Sequence, residues 1–222
     1  TADYGIAALQ RCAYVADDGY RDQALLWPGK RRDWIVVIHG HGSREDQLYT
    51  RPDIRRLWLP ALRATGAGLV TPHLRGNAWM SPAATRDLHA LLAWLRRSRG
   101  ARRFFFFSGS MGGSSNLYYA LRHPEDVAAL VALGAAPDPA AYAAWLAGFP
   151  DGSIQRQIRD ALVSAYGGRP ETRPAPYRAR SAPERAARLT APLFFAHGER
   201  DALMPVAEAR RFAAAMRASP LF

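Results

Sequence analysis

Cysteine is nearly missing from this 222-residue chain: Cys12 is the only one. One thiol excludes an internal disulfide framework and any cysteine-rich metal site. Lysine is equally scarce, so all but one of the 30 basic side chains is arginine, Lys30 being the exception. No apolar run reaches the roughly 18–20 residues needed to cross a bilayer. The richest stretch, Val127 to Ala136, is strand-sized. Internal repeats, low-complexity tracts and dividing linkers are missing too, which points to one domain. No secretory signal is evident, but the chain opens on Thr1, and the compartment stays open between cytoplasm and secretion.

Acidic residues are outnumbered, 19 against 30, and the formal net charge is +11. The arginines are scattered rather than gathered in one run. Pairs such as Arg31-Arg32, Arg55-Arg56 and Arg102-Arg103 fall at the ends of expected elements, where solvated cations are ordinary. No zinc-finger spacing, heptad-linked basic region or aromatic RNA-binding signature accompanies them, so neither nucleic acid nor membrane is an expected partner. The charge reads as a surface property that favours anionic substrates. The six histidines are dispersed, and His39-x-His41 is too short a cluster for a metal site without further ligands. No metal and no cofactor is expected.

What the chain does have is apolar residues at 49% and aromatics at 11%, ample for a packed core. Arg11 to Ala16 and Tyr20 to Trp27 read as a hairpin turning at Asp18-Gly19. Trp34 to Ile38 is a continuous apolar run, the pattern of a strand buried on both faces. A helix over about Asp53 to Ala64 follows, then a strand Gly68 to Thr71. A longer helix, about Ala83 to Arg97, carries Leu88, Leu91, Leu92 and Leu95 on one stripe. Phe104 to Phe107 is another buried strand, Gly113 to Arg122 a helix, and Val127 to Leu133 and Leu193 to Ala196 two more strands. A last helix runs from Val206 to Met216. The alternation predicts an α/β fold, a mostly parallel sheet with helices on both faces. One connection is too long to be only a connection. From about 137 to 190 lie helices at about Ala140 to Leu146, Ile154 to Tyr166 and Pro183 to Leu189, with a Pro/Arg-rich stretch between, and this insertion is expected to act as a lid.

Ser110 stands between four phenylalanines and the helix, within Ser108-Gly109-Ser110-Met111-Gly112. A serine on a tight strand-to-helix turn projects its hydroxyl above the sheet edge. Small residues two before and two after it let strand and helix approach closely. The helix N-terminus aims N–H groups at any oxyanion formed there. A phosphate loop is excluded, since no Gly-Lys-Ser/Thr is present and Gly109, Gly112 and Gly113 do not make G-x-G-x-x-G.

Three further motifs give the chain a resemblance to the α/β-hydrolase superfamily, nearest its prolyl-oligopeptidase-like and dienelactone-hydrolase-like branches. His39-Gly40-His41-Gly42 after its strand resembles the family's oxyanion loop. Thr71-Pro72-His73-Leu74-Arg75-Gly76-Asn77 is similar to its Arg-Gly loop. His197-Gly198-Glu199-Arg200-Asp201 through Pro205 resembles the loop carrying the triad acid. The order agrees from about residue 34 to 217. The resemblance implies Ser110 as nucleophile and Asp201 as the acid that orients a histidine. It places the oxyanion hole at the N–H of Met111 with a second donor from His41, Gly42 being the alternative. His39 and His197 are expected to brace their loops.

A serine hydroxyl needs a base, and the family's histidine follows the acid, yet no histidine follows His197. Three readings stand: the protein continues past Phe222 through one more strand and a histidine loop; His41 or His73 is recruited; or the base is missing and the pocket only binds. The expected chemistry is acyl transfer on a small ester, with peptidase or amidase activity on a short peptide as the alternative. A non-catalytic binding protein is the rival from another class. Trp79, Tyr142 and Trp145 are candidate substrate contacts. Oligomeric state is not legible.

Overall fold

The structure is a computed structural model that describes residues 4–218. Its strands and helices run in the order β1 (Gln10–Val15), β2 (Arg21–Trp27), β3 (Asp33–Val36), α1 (Gln47–Thr50), α2 (Pro52–Leu57), α3 (Leu59–Ala64), β4 (Gly68–Pro72), α4 (Pro82–Arg99), β5 (Arg103–Gly109), α5 (Met111–Arg122), β6 (Val127–Leu133), α6 (Pro139–Leu146), α7 (Ile154–Tyr166), α8 (Pro174–Arg178), β7 (Leu193–Ala196) and α9 (Val206–Arg217). The seven strands form one sheet in the order β1-β2-β4-β3-β5-β6-β7. The β1–β2 hairpin and its junction with β4 are antiparallel, and every later pairing is parallel.

Strand side chains alternate between two cores, as the period of two requires. Trp34, Val36, Phe104 and Phe106 join Leu88, Leu92 and Leu95 of α4, Leu117 and Leu121 of α5, and Phe212 of α9. Ile35, Val37 and Leu69 face the other way, against Leu48 and Tyr49 of α1 and Leu59 and Leu62 of α3. A third cluster belongs to the insertion, where Tyr142, Leu146, Ile158, Leu162 and Tyr166 pack on Trp79, Met111 and Met204.

Two boundaries differ from expectation. The helix expected from Asp53 to Ala64 is broken at Trp58 into α2 and α3, and a separate α1 precedes it. Pro60 sits in the first turn of α3, where it has no N–H to lend and its ring would clash with the preceding turn of a continuous helix. The strand expected to run to Ile38 ends at Val36. Val37 N–H still reaches the Val70 carbonyl, but Ile38 N–H donates to Ser108 Oγ instead of to a strand, at 2.9 Å. A side chain thus ends the ladder at the point where the chain must leave the sheet.

Arg75 locks the hairpin to the sheet. Its guanidinium bonds both oxygens of Asp18 at 2.8 and 2.9 Å, pairs with Asp87 of α4, and lies over the Tyr20 ring. Leu74 and Arg75 both have positive φ, and the Arg75 N–H is held at 2.8 Å by the buried Asp22. The Arg75 hydrogen bonds pull the Asp18 carboxyl down to about 2. A carboxyl lowered on folding stabilises the fold above its ordinary pKa of about 3.9 and loses that contribution as pH falls through the folded value. NMR titration should therefore place Asp18 near 2 in the wild type and return it towards 4 in Arg75→Ala. The variant should also lose part of the acid-dependent stability between pH 4 and 2.

Candidate active site

Ser110 occupies a turn that few residues adopt. Its φ of 57° and ψ of −131° lie outside the ordinary regions, and it follows β5 directly and caps α5. Backbone in such regions costs about 1–3 kcal/mol and persists only where the surroundings over-determine it. Here the surroundings do. Ser110 N–H donates to the Leu133 carbonyl at the end of β6 (2.8 Å), and Ser114 N–H to the Ser110 carbonyl (3.0 Å). Ser108, wholly buried, accepts from Ile38 and bonds Asn116, whose amide reaches the Val131 carbonyl. A Cβ on Gly112 would overlap the Ile38 carbonyl oxygen and touch Ser108. Strand, elbow and helix meet only because that position carries no side chain.

The loop after β3 faces this elbow. A Cβ on Gly40 would lie 4.0 Å from the Cβ of Ser110. Gly40 N–H donates to Gln47 Oε1 (2.6 Å), and Gly42 N–H to Asn77 Oδ1 (2.8 Å). The two glycine donors are therefore committed to side chains. Between them, His41 N–H has no partner among the described residues, and neither has Met111 N–H at the start of α5. Of the two loop donors considered in the sequence, the geometry leaves His41 open and occupies Gly42.

Asp201 lies on the loop after β7. Its Oδ1 accepts from the N–H groups of Leu203 and Met204 at 2.8 and 2.9 Å. Its Oδ2 lies 3.5 Å from where a Cβ on Gly134 would stand, directly after the strand end that holds Ser110 N–H. One carboxylate oxygen is thus fixed by backbone and the other turned towards the end of β6.

The histidines are placed as follows. His39 braces its loop, with Nδ1 at the Gly40 carbonyl and Nε2 at the His73 carbonyl, and its ring stacks on His73. His73 pairs at 3.0 Å with the buried Glu45. His197 Nε2 meets the Met204 carbonyl at 2.9 Å. His41 Nδ1 accepts from Trp79 Nε1 at 3.3 Å. Burial pushes the His39 and His41 imidazoles below their usual range, which keeps both neutral near pH 7. None of the six bridges Ser110 and Asp201.

A cavity of about 420 Å³ opens over Ser110. Ile38, Leu48, Trp58, Trp79 and Met204 line it, with Arg44 and Arg51 among its polar walls. Ile154 and Ile158 come from the insertion. Trp79 lines the cavity. Tyr142 and Trp145, expected beside it, are not lining residues. Tyr142 is fully buried against Trp79 and donates to the Leu203 carbonyl, and Trp145 stacks on Tyr142 and meets Phe149 edge-on. Arg75 and Ser181 also carry structural bonds, the latter to Asp138.

Sequence reading missed what holds Trp79 in place. Trp79 and Met80 both have positive φ. The Trp79 carbonyl accepts from Tyr166 and the Met80 carbonyl from Arg180 Nε, at 3.0 and 2.6 Å. Arg180 is buried with no carboxylate partner among the described residues, satisfied by Met80, Pro176 and Thr85 and lying near the Tyr166 ring. An isolated arginine in a Pro/Arg-rich stretch gives no sign of this. Gln47 likewise carries no motif, whereas Asn77 ends the Arg-Gly loop.

Comparison with known proteins agrees with the fold. A family described as the alpha/beta hydrolase fold matches residues 33–159. Puromycin hydrolase is similar in structure (TM-score 0.69, 19% identity), over 94% of this chain and 33% of that one. The esterase Pf2001 of Pyrococcus furiosus is similar with TM-score 0.65 and 15% identity, over 97% and 80%. MPT51 of Mycobacterium tuberculosis is similar with TM-score 0.68 and 14% identity, over 96% and 86%. The chain thus spans about a third of puromycin hydrolase. At these identities the likeness is one of fold. No curated protein sequence matches the chain.

Two substitutions test the framework. Gly112→Ala should cost about 3 kcal/mol in urea unfolding, or prevent folding, because its Cβ meets backbone rather than a movable side chain. Arg180→Met keeps the apolar stem but strands buried acceptors, and should cost about 1–3 kcal/mol by the same measurement.

Proposed function

This chain belongs to the α/β-hydrolase fold family, and from that premise we propose that it is a serine hydrolase that cleaves small carboxylic esters by acyl transfer through Ser110. The observation that carries the reading is an exposed Ser110 in a strained elbow at a cavity that His41 also lines, with the N–H groups of His41 and of the adjoining Met111 left open. Ser110 Oγ attacks the carbonyl carbon as its proton passes to an imidazole. The carbonyl oxygen becomes an oxyanion held by the two N–H groups. The alkoxide leaves with the proton, and water then releases the acid from the acyl-serine. Donors aimed at developing charge are worth about 10²–10³ in rate each.

Asp201 is the acid of this scheme, its Oδ2 free to receive an imidazole N–H. None of the six histidines bridges Ser110 and Asp201, and the scheme requires an imidazole placed between Ser110 Oγ and Asp201 Oδ2. The cavity volume suits a small ester within the usual range for such sites, about 300–1,000 Å³. The segment from 137 to 190 is assigned as the lid, because its Ile154 and Ile158 wall the cavity. Peptidase activity has less support, since Arg75 and Ser181 are occupied by structural bonds.

The natural full-length protein should take up one fluorophosphonate, mapped to Ser110, and hydrolyse short-chain aryl esters faster than prolyl or aminoacyl amides. Ser110→Ala should lower kcat by about 10³-fold or more, and Asp201→Asn by about 10²–10⁴-fold. Faster amide cleavage would turn the assignment to a peptidase. No adduct and no turnover would leave a binding protein on a hydrolase scaffold.

A further inference from the structure

Two histidines far apart in the sequence meet at the opposite end of α5 from Ser110. His89 lies on α4, and His123 caps the C-terminus of α5 just before the short turn Pro124–Asp126. Their rings stack with centroids 4.2 Å apart and an angle of 18°. His89 Nδ1 lies 2.9 Å from Asp126 Oδ2, and His123 Nδ1 lies 3.0 Å from Glu125 Oε1. One donor atom from each of His89, His123, Glu125 and Asp126 falls within 4.8 Å of all the others.

We infer that His89, His123, Glu125 and Asp126 form a binding site for a divalent transition-metal ion, zinc above others, that staples α4 to the α5–β6 turn. Two imidazoles and two carboxylates are a donor set that borderline ions such as Zn²⁺ prefer and that Mg²⁺ and Ca²⁺, which favour oxygen, do not. With bonds of about 2.0–2.1 Å, neighbouring ligands of tetrahedral zinc stand about 3.3 Å apart. The two histidine–carboxylate pairs are already near that spacing. A neutral imidazole frees Nδ1 by carrying its proton on Nε2, and neither Nε2 has a protein partner among the described residues, so the ion can replace the bridging protons.

The surroundings resemble an outer ligand shell. Asp126 is buried, its Oδ1 held by Arg96 at 2.7 Å and its Oδ2 reached by the Tyr119 hydroxyl. Partners of this kind orient a ligating carboxylate before the ion arrives. Arg96 is neutralised by that bond, and the two carboxylates leave the group with net negative charge. Glu125 is 62% exposed and His89 44%, so these two supply the movement that closes the shell. The site is separate from the catalytic proposal, because the 12 residues of α5 span about 18 Å.

The test is calorimetric titration of chelator-treated protein with ZnCl2, together with thermal unfolding. The expected result is one equivalent bound with micromolar or lower Kd, not displaced by excess Mg²⁺. Free zinc at a hundred times Kd should raise Tm by roughly 5–10 °C. Co²⁺ in its place should give the intense visible bands of a tetrahedral ion. His123→Ala and the exposed Glu125→Gln should each weaken binding at least tenfold, the latter without disturbing the fold, while Ser110→Ala should leave it unchanged. Zinc affinity unaltered in both ligand variants, or no stoichiometric binding by the wild type, would overturn the site.

Discussion

The contact between α5 and the end of β3 is the constraint on which the rest depends. Gly112 lets the helix rest on the Ile38 carbonyl, and Ser108 fills the space beside it while taking the Ile38 N–H. Those two small residues allow β3, β5 and α5 to converge, and convergence forces Ser110 into its unusual backbone conformation. The strain is sustained by the Leu133 carbonyl, which draws β6 into the same junction. β6 then places Gly134 beneath Asp201, so one packing contact sets the nucleophile and the proposed acid in a common frame.

Around that frame the cavity is assembled from segments that do not touch in sequence. The loop after β3 is made rigid by Gln47 and Asn77, each spending a side-chain oxygen on a glycine N–H. The Arg-Gly loop is held in left-handed backbone by Asp22, and Trp79 and Met80 just beyond it by Tyr166 and Arg180. Burying a guanidinium is costly unless its donors are satisfied, and the Met80 and Pro176 carbonyls and the Thr85 hydroxyl supply what it needs. The insertion therefore does more than line the cavity. It fixes Trp79, and Trp79 in turn bonds His41.

Helix α5 links two regions of different chemistry. Its N-terminus presents open N–H groups beside Ser110, suited to negative charge. Its C-terminus brings His123 against His89 and the Glu125-Asp126 turn. The histidines look dispersed along the chain, and their proximity arises only when α4 and α5 pack on one face of the sheet.

The sequence by itself determined the strands, the elbow and the identity of Ser110 and Asp201 as candidates. Hydrophobic periodicity and glycine placement are local properties, and the phenylalanine run followed by Ser108 to Gly112 carries its geometry in five residues. The α2–α3 break was legible in principle from Pro60. Only the tertiary structure decided which backbone donors stay open, that Tyr142 lies against Trp79 rather than at the cavity, and that Arg180 and Tyr166 hold the neighbouring loop. It also decided that His89 and His123 meet. Each of these depends on contacts between residues tens of positions apart, where hydrogen-bond partners compete for the same N–H or carbonyl and no local pattern records the winner.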